Sequence, residues 1–277
     1  MFLVNRECPW RCAMCDLWRY TLVQGRTSGS IARQMDVAFR EAGIDGLDWV
    51  KLYNAGSFFD LGAIPAEDHP GIAERCRGFS RVIVECHPSL VGASLVRFRD
   101  LLGPGTRLEV AMGLETAHPL ALERLNKGFD PEGFRRAARF IRENGCDLRV
   151  FLLARPPFVP EEDVEAWLER SIDFAFDCGA DPVVIIPTRL GNGAMERLVG
   201  MGLHSAPSFG LLEHGMHFGL GLKRGRVFVD LWDVEQLVGP DPDLGSRRVA
   251  LERMNAIQGD GLANDLNKGL DRIAANR

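Results

Sequence analysis

The chain has 277 residues, 46% hydrophobic and 26% charged, enough to bury a sizeable core in one large or two small domains. A formal net charge of −5 excludes a global basic field that would draw the molecule to nucleic acid or an anionic membrane, and leaves room only for a local patch. The 7 cysteines are odd in number and three of them crowd into residues 8–15, which excludes a disulfide framework and fits a reducing compartment.

In chain order, the short apolar runs "FLVN", "WVKLYN", "RVIVE", "LEVAM", "LRVFLLA" and "PVVIIP" are each too short for a helix and read as buried parallel strands. Between them lie the amphipathic stretches "SIARQMDVAFREAG", "PSLVGASLVRFRDLLG", "DPEGFRRAARFIRENG" and "PEEDVEAWLERSIDFAFDCG". Several start on Asp, Ser or Pro and end just before Gly, as helix caps require. Strand and helix thus alternate about six times, which predicts an α/β fold, a partial (β/α)6 TIM-like barrel, with an open doubly wound sheet as the competing architecture. The turn-rich "VGPDPDLGS" marks a break, and "RRVALERMNAIQ" onward reads as a C-terminal helical extension, so the expected division is 1–236 barrel and 237–277 extension. None of the apolar runs is long enough to span a bilayer and no secretory leader pattern opens the chain; the expected location is cytoplasmic.

The segment "CPWRCAMC" follows the first strand, so Cys8, Cys12 and Cys15 fall on a loop at that strand's C-terminal end, where α/β barrels carry their chemistry. Three thiolates on one loop could ligate three irons of a four-iron cluster and leave the fourth open, whereas structural zinc wants four ligands. Two other readings stay open: a scaffold in which the cysteines hold a redox or structural metal, and a thiol oxidoreductase using Cys12 and Cys15 as a Cys-x-x-Cys pair. Cys76, Cys86, Cys146 and Cys178 are scattered singly and read as small buried apolar residues.

With its Cys-x3-Cys-x2-Cys loop after the first strand, the chain resembles the radical SAM enzymes, and later segments resemble that family's cofactor-binding stations in order. The resemblance implies a [4Fe-4S] cluster whose fourth iron is chelated by S-adenosylmethionine, which is cleaved reductively to a 5′-deoxyadenosyl radical that abstracts a substrate hydrogen. It also implies an external one-electron donor of the flavodoxin or ferredoxin type. In "KLYNAGSFFD", Asn54, Gly56 and Ser57 stand where the family usually has a Gly-Gly-Glu-like stretch that receives the methionine amino group. Glu85 in "VIVECHP" and Glu115 in "LEVAMGLET" end otherwise apolar strands, a costly place unless they point into the mouth, and would suit ribose hydroxyls or the methionine ammonium. Lys127 and Arg149 match positions where related enzymes place a cation near the methionine carboxylate.

Within the superfamily, "CAMCDLW", "KLYNAGSFFD", "VAMGLETAHPLALERLNKGF" and "FLLARPPFVPEEDVEAWLERSIDFA" are similar to the group containing the radical SAM subunit of archaeosine synthase, with the Elongator-like domain more distant. That implies a tRNA base as substrate; a small molecule of natural-product biosynthesis is the alternative. The chain differs from that synthase in beginning seven residues before Cys8 and in having no Cys or His cluster in "RVFVDLWDVEQL". Of the remaining features, Trp10 and Met14 sit where bulky residues would shield a cluster. His214 and His217 read as surface or core histidines, "FRRAARFIR" as a solvated face, and Asp230 and Asp233 flank Trp232 at the expected barrel mouth.

Overall fold

Among the described residues, seven strands, all parallel, form one sheet in strict chain order: β1 (Phe2–Leu3), β2 (Trp49–Asn54), β3 (Arg81–Glu85), β4 (Arg107–Glu115), β5 (Asp147–Leu153), β6 (Val183–Ile186) and β7 (Val227–Val229). The structure, a computed structural model, describes residues 1–22, 28–44 and 46–258. The helices are α1 (Ser30–Ala42), α2 (His69–Cys76), α3 (Ala93–Leu102), α4 (Pro119–Arg124), α5 (Pro131–Glu143), α6 (Val164–Asp177), α7 (Ala194–Gly200), α8 (Phe209–Gly221), α9 (Val234–Leu237) and α10 (Leu244–Ile257). All six expected strands are present. β7 is the addition, a strand of three residues that carries too little pattern to stand out from its flanks.

The strands alternate. Val50, Leu52, Val82, Val84, Val110, Val150, Leu152 and Ile185 are buried in the layer facing the helices. Their in-register neighbours on the other face are Lys51 beside Ile83, Glu85 beside Ala111, Ala111 beside Arg149, Gly113 beside Phe151, and Phe151 beside Val184. Tyr53 of β2 meets Phe151 of β5 edge to face, with ring centroids 6.1 Å apart. Three strand spacings would separate those residues by about 14 Å in a flat sheet. The sheet therefore curls, and its second face lines a polar lumen.

Both edges of the curled sheet are covered by side-chain amides. On the β1 side, Gln34 of α1 accepts from Val4 N–H at 2.8 Å and donates to its carbonyl at 3.0 Å. On the β7 side, Asn255 accepts from Val229 N–H and donates to Val229 C=O, and Gln258 does the same for Val227. A partial barrel leaves two edges whose backbone groups need partners, and here helices supply them. The turn-rich break is followed by α10, which packs onto β7 and buries Leu251; residues 259–277 of the expected extension lie outside the described residues.

Helix ends follow the caps read from the sequence. Asp130 accepts from Gly133 N–H at 2.6 Å, Pro131 opens α5, and Gly145 (φ 70°) takes the left-handed turn beyond it.

Candidate active site

The cysteine loop leaves β1 at the C-terminal end of the sheet and is held by loops that follow four other strands. Ala13 N–H donates to Leu125 C=O at 3.0 Å, Cys12 Sγ lies 3.7 Å from the Asn126 carbonyl, and the Asn126 amide donates to Trp10 C=O, all through the loop after α4. Asn192, after β6, donates to the carbonyls of Ala13 (2.8 Å) and Cys15 (3.1 Å) while accepting from Met195 N–H. Gly56, after β2, lies so close that a Cβ there would sit 3.4 Å from the Cys8 Cβ. His87, after β3, stacks on Trp10.

Burial raises all three thiols above their ordinary values, Cys15 to about 11, and neighbouring cysteines push Cys12 and Cys15 in the same direction. The Lys127 ammonium opposes this at Cys8 and Cys12. Among the described residues, no three or more His, Cys, Asp or Glu side chains gather around one point as a single ion requires. The thiols are spread along the loop yet near enough to feel one another's charge.

Beneath the loop are two fully buried asparagines, Asn5 and Asn54, at the ends of adjacent strands. Neither amide oxygen nor nitrogen of either side chain has a partner among the described residues. A buried, unpaired amide is expensive, so four such atoms beside one loop mark a place that polar groups of a ligand would complete. The Asn54 Nδ2 faces the space left by the missing side chain of Gly56, 3.8 Å from where its Cβ would be. Ser57 Oγ is taken, accepting from His87 N–H at 3.1 Å. Glu85 accepts from Asn54 N–H at 3.3 Å, and burial, reinforced by nearby Glu115, pushes its carboxyl up to about 8.

Glu115 closes β4 at a bulge, with a left-handed φ of 66° that turns its carboxylate back over Gly113. There it pairs with Lys127 Nζ at 2.9 Å, both groups buried. Desolvation works against the charged lysine, but Glu115 and then Cys12 more than compensate, and its pKa is raised. Arg149 belongs elsewhere. It pairs with Glu109 at 2.5 Å, six residues before Glu115 on β4, and Glu109 also holds Arg81. Six of the seven expected cofactor contacts, Asn54, Gly56, Ser57, Glu85, Glu115 and Lys127, thus form one wall near the cysteine loop, and Arg149 lies deeper in the lumen.

No protein-family model matches the chain. It is 30% identical over 125 residues to archaeosine synthase subunit beta of Thermococcus kodakarensis, covering 44% of this chain and 39% of that protein. It is 27% identical over 176 residues to archaeosine synthase subunit beta of Methanosarcina acetivorans, covering 61% and 51%. The matches thus span about half the length of these curated relatives or less. Among solved structures, methylornithine synthase (PylB) superposes with a TM-score of 0.58 at 16% identity, over 82% of this chain and 63% of that one. Coproporphyrinogen III oxidase (HemN) of Escherichia coli, a radical SAM enzyme, superposes with a TM-score of 0.54 at 13% identity, over 80% and 51%. The chain thus shares the fold of a solved radical SAM enzyme and is similar in sequence to two archaeosine synthase beta subunits.

The site also contains residues that the sequence alone did not single out: Asn5, His87, Asn126 and Asn192. His87 sat two residues beyond Glu85 in the same quoted strand end, and a polar residue there was the available signal. Asn126 adopts φ 59°, a conformation asparagine tolerates better than most residues, and it precedes the noted Lys127. Asn192 carries no local pattern. It reaches the cysteine loop only because β6 ends on the same face as β1.

Proposed function

We propose that this chain is a radical SAM enzyme, which holds a [4Fe-4S] cluster on Cys8, Cys12 and Cys15 and binds S-adenosylmethionine against Asn54, Gly56, Ser57, Glu85 and Glu115. The observation that carries this reading is the pair of buried asparagines with four unpartnered amide atoms, at the ends of the strands beside the loop that carries Cys8, Cys12 and Cys15. When bound, the cluster and S-adenosylmethionine supply one-electron cleavage of a sulfur–carbon bond and a 5′-deoxyadenosyl radical that takes a hydrogen atom from the substrate.

The protein's own residues prepare that site. Lys127 places a buried positive charge beside Cys12, which favours the thiolates that iron requires. Glu85, protonated at neutral pH, offers both a donor and an acceptor to a ligand hydroxyl. Trp10, packed against His87, covers one side of the loop and excludes water. The lumen below, with Lys51, Tyr53, Arg149 and Phe151, faces the substrate, and Arg149 serves there rather than at the methionine carboxylate.

A base of tRNA is the substrate class this reading favours, on the similarity to two archaeosine synthase beta subunits. A one-electron donor of the flavodoxin or ferredoxin type and a reducing cytoplasm complete the assignment. Among the described residues no helix is long and apolar enough to cross a membrane. Anaerobic reconstitution should yield a brown protein with four irons per chain that converts S-adenosylmethionine to 5′-deoxyadenosine under dithionite. Cys8→Ala should abolish iron loading. A variant that kept its activity as a dithiol enzyme would instead favour Cys12 and Cys15 as a redox pair.

A further inference from the structure

Two tryptophans stand out of the surface on the face where the cysteine loop lies. Trp18 (46% exposed) follows that loop after β1, and Trp232 (74% exposed) follows β7, so they mark the two sides of the open barrel mouth. Large indoles are ordinarily well covered, and leaving two of them in water at one opening is unfavourable unless something stacks there.

Neither ring is carried on loose chain. Trp18 lies in a 3-10 turn in which Arg19 N–H donates to Asp16 C=O at 3.1 Å and Thr21 Oγ1 donates to Trp18 C=O at 2.6 Å. Trp232 N–H donates to Asp230 Oδ1 at 3.0 Å, and its carbonyl accepts from Arg189 at 2.8 Å. Each indole also has a guanidinium at its face: Arg19 is 5.4 Å from the Trp18 ring centroid and Arg189 is 5.8 Å from that of Trp232. Arg189 follows β6, so its guanidinium reaches Trp232 from a neighbouring strand end. Tyr20 adds a third exposed ring at 60%.

We propose that these arginine-backed indoles are stacking platforms for unpaired bases of an RNA, which they hold over the barrel mouth. An aromatic face with an adjoining guanidinium suits a base and its phosphate together, and stacking tolerates any base because each has a π-face. The proposal rests on the tRNA reading above and adds the mode of recognition. Among the described residues Arg19 and Arg189 are the guanidiniums over the platform rings, and Arg189 also lies 3.8 Å from Asp230 and 3.9 Å from Asp233, so binding runs through the rings more than through phosphates. Two phosphate contacts on a single strand give a log–log salt slope of about −1.4, so affinity falls less than about tenfold between 50 and 200 mM salt.

The test titrates the iron-loaded full chain with a fluorescein-labelled unstructured RNA 12-mer and with a duplex of the same sequence. The single strand should bind better than the duplex and quench tryptophan emission. Trp18→Ala and Trp232→Ala should each weaken it about fivefold or more, and Trp232→Phe should retain most of the affinity. Dithionite-driven cleavage of S-adenosylmethionine, read without RNA, should be unchanged in these variants, which also shows that they fold. Absence of binding, equal binding of duplex and single strand, or unchanged affinity in the double variant would overturn the proposal. So would a loss confined to reduction by a flavodoxin, since the rings would then serve a protein partner. A wild-type chain that binds RNA through the rings but never cleaves S-adenosylmethionine would leave the platforms standing and defeat the radical mechanism; the reverse result would do the opposite.

Discussion

The indole of Trp10 lies flat on the imidazole of His87, with ring centroids 3.6 Å apart and planes within 13° of parallel. His87 Nε2 donates to Lys127 C=O at 2.8 Å and its Nδ1 accepts from Ser89 N–H at 3.2 Å, so both ring nitrogens are committed and the ring is neutral. On another side of the indole is Gly128 (φ 67°), where a Cβ would lie 2.7 Å from the ring. A residue between the first two cysteines is therefore gripped by the loops after β3 and α4.

Loosening that grip should loosen the cysteine loop. His87→Ala is expected to cost about 1–2 kcal/mol through the lost ring contact and hydrogen bonds. Gly128→Ala should do similar damage by wedging Trp10 outward and straining a left-handed backbone. Iron per chain after gel filtration should fall in both; wild-type iron retention in His87→Ala would remove the clamp from consideration.

The neutral state of His87 has a pH signature. Burial first, and the Lys127 charge second, push it down to about 4 from an ordinary value near 6.5. A depressed folded value means the unfolded chain binds the proton more readily. The neutral ring's contribution is thus complete above about 6.5 and is lost as pH falls toward 4. Urea unfolding of the metal-free chain should show this slope, and His87→Gln should reduce it.

Glu85 has the opposite sign. Its carboxyl is raised to about 8 by burial, so the folded protein holds the proton longer, and stability falls as pH rises from about 4.5 through 8. Glu85→Gln keeps an acceptor for Asn54 N–H and removes the charge. Its stability should be level across that window and exceed wild type at pH 8. An unaltered pH profile in Glu85→Gln would contradict the assignment.

The Glu115–Lys127 pair can be separated from its parts. Lys127→Met strands a buried carboxylate and is expected to cost about 3 kcal/mol or more, whereas Lys127→Met with Glu115→Leu should recover much of that loss. Gly113→Ala should resemble the single variant, because a methyl group would occupy the path of the Glu115 carboxylate. Thermal unfolding of the three proteins decides whether the pair behaves as one unit.

Lumen residues should affect the substrate without affecting the cofactor. Partial burial, with Arg149 nearby, lowers the Lys51 pKa, and Tyr53 is raised by burial in the same space. Lys51→Met or Tyr53→Phe should reduce substrate turnover by about tenfold, the worth of one lost polar contact, while leaving uncoupled 5′-deoxyadenosine formation intact. Equal loss of both activities would move these residues into the cofactor site.

Six strands, their helices, the cysteine loop and the burial of Cys76, Cys86, Cys146 and Cys178 were legible in the sequence, because strand runs, caps and cysteine spacing are local patterns. So were the acidic strand ends Glu85 and Glu115, since a carboxylate closing an apolar run announces its own cost. The partners were not legible. Lys127 meets Glu115, Arg149 instead meets Glu109, Asn192 spans 177 residues to reach Cys15, and His87 lies under Trp10. Such pairings depend on the curl of the sheet and on which strand ends share a face, and no short window of sequence records either. The cysteine spacing is thus written in one eight-residue loop, while the way that loop is held is decided only when the sheet curls and brings the other strand ends beside it.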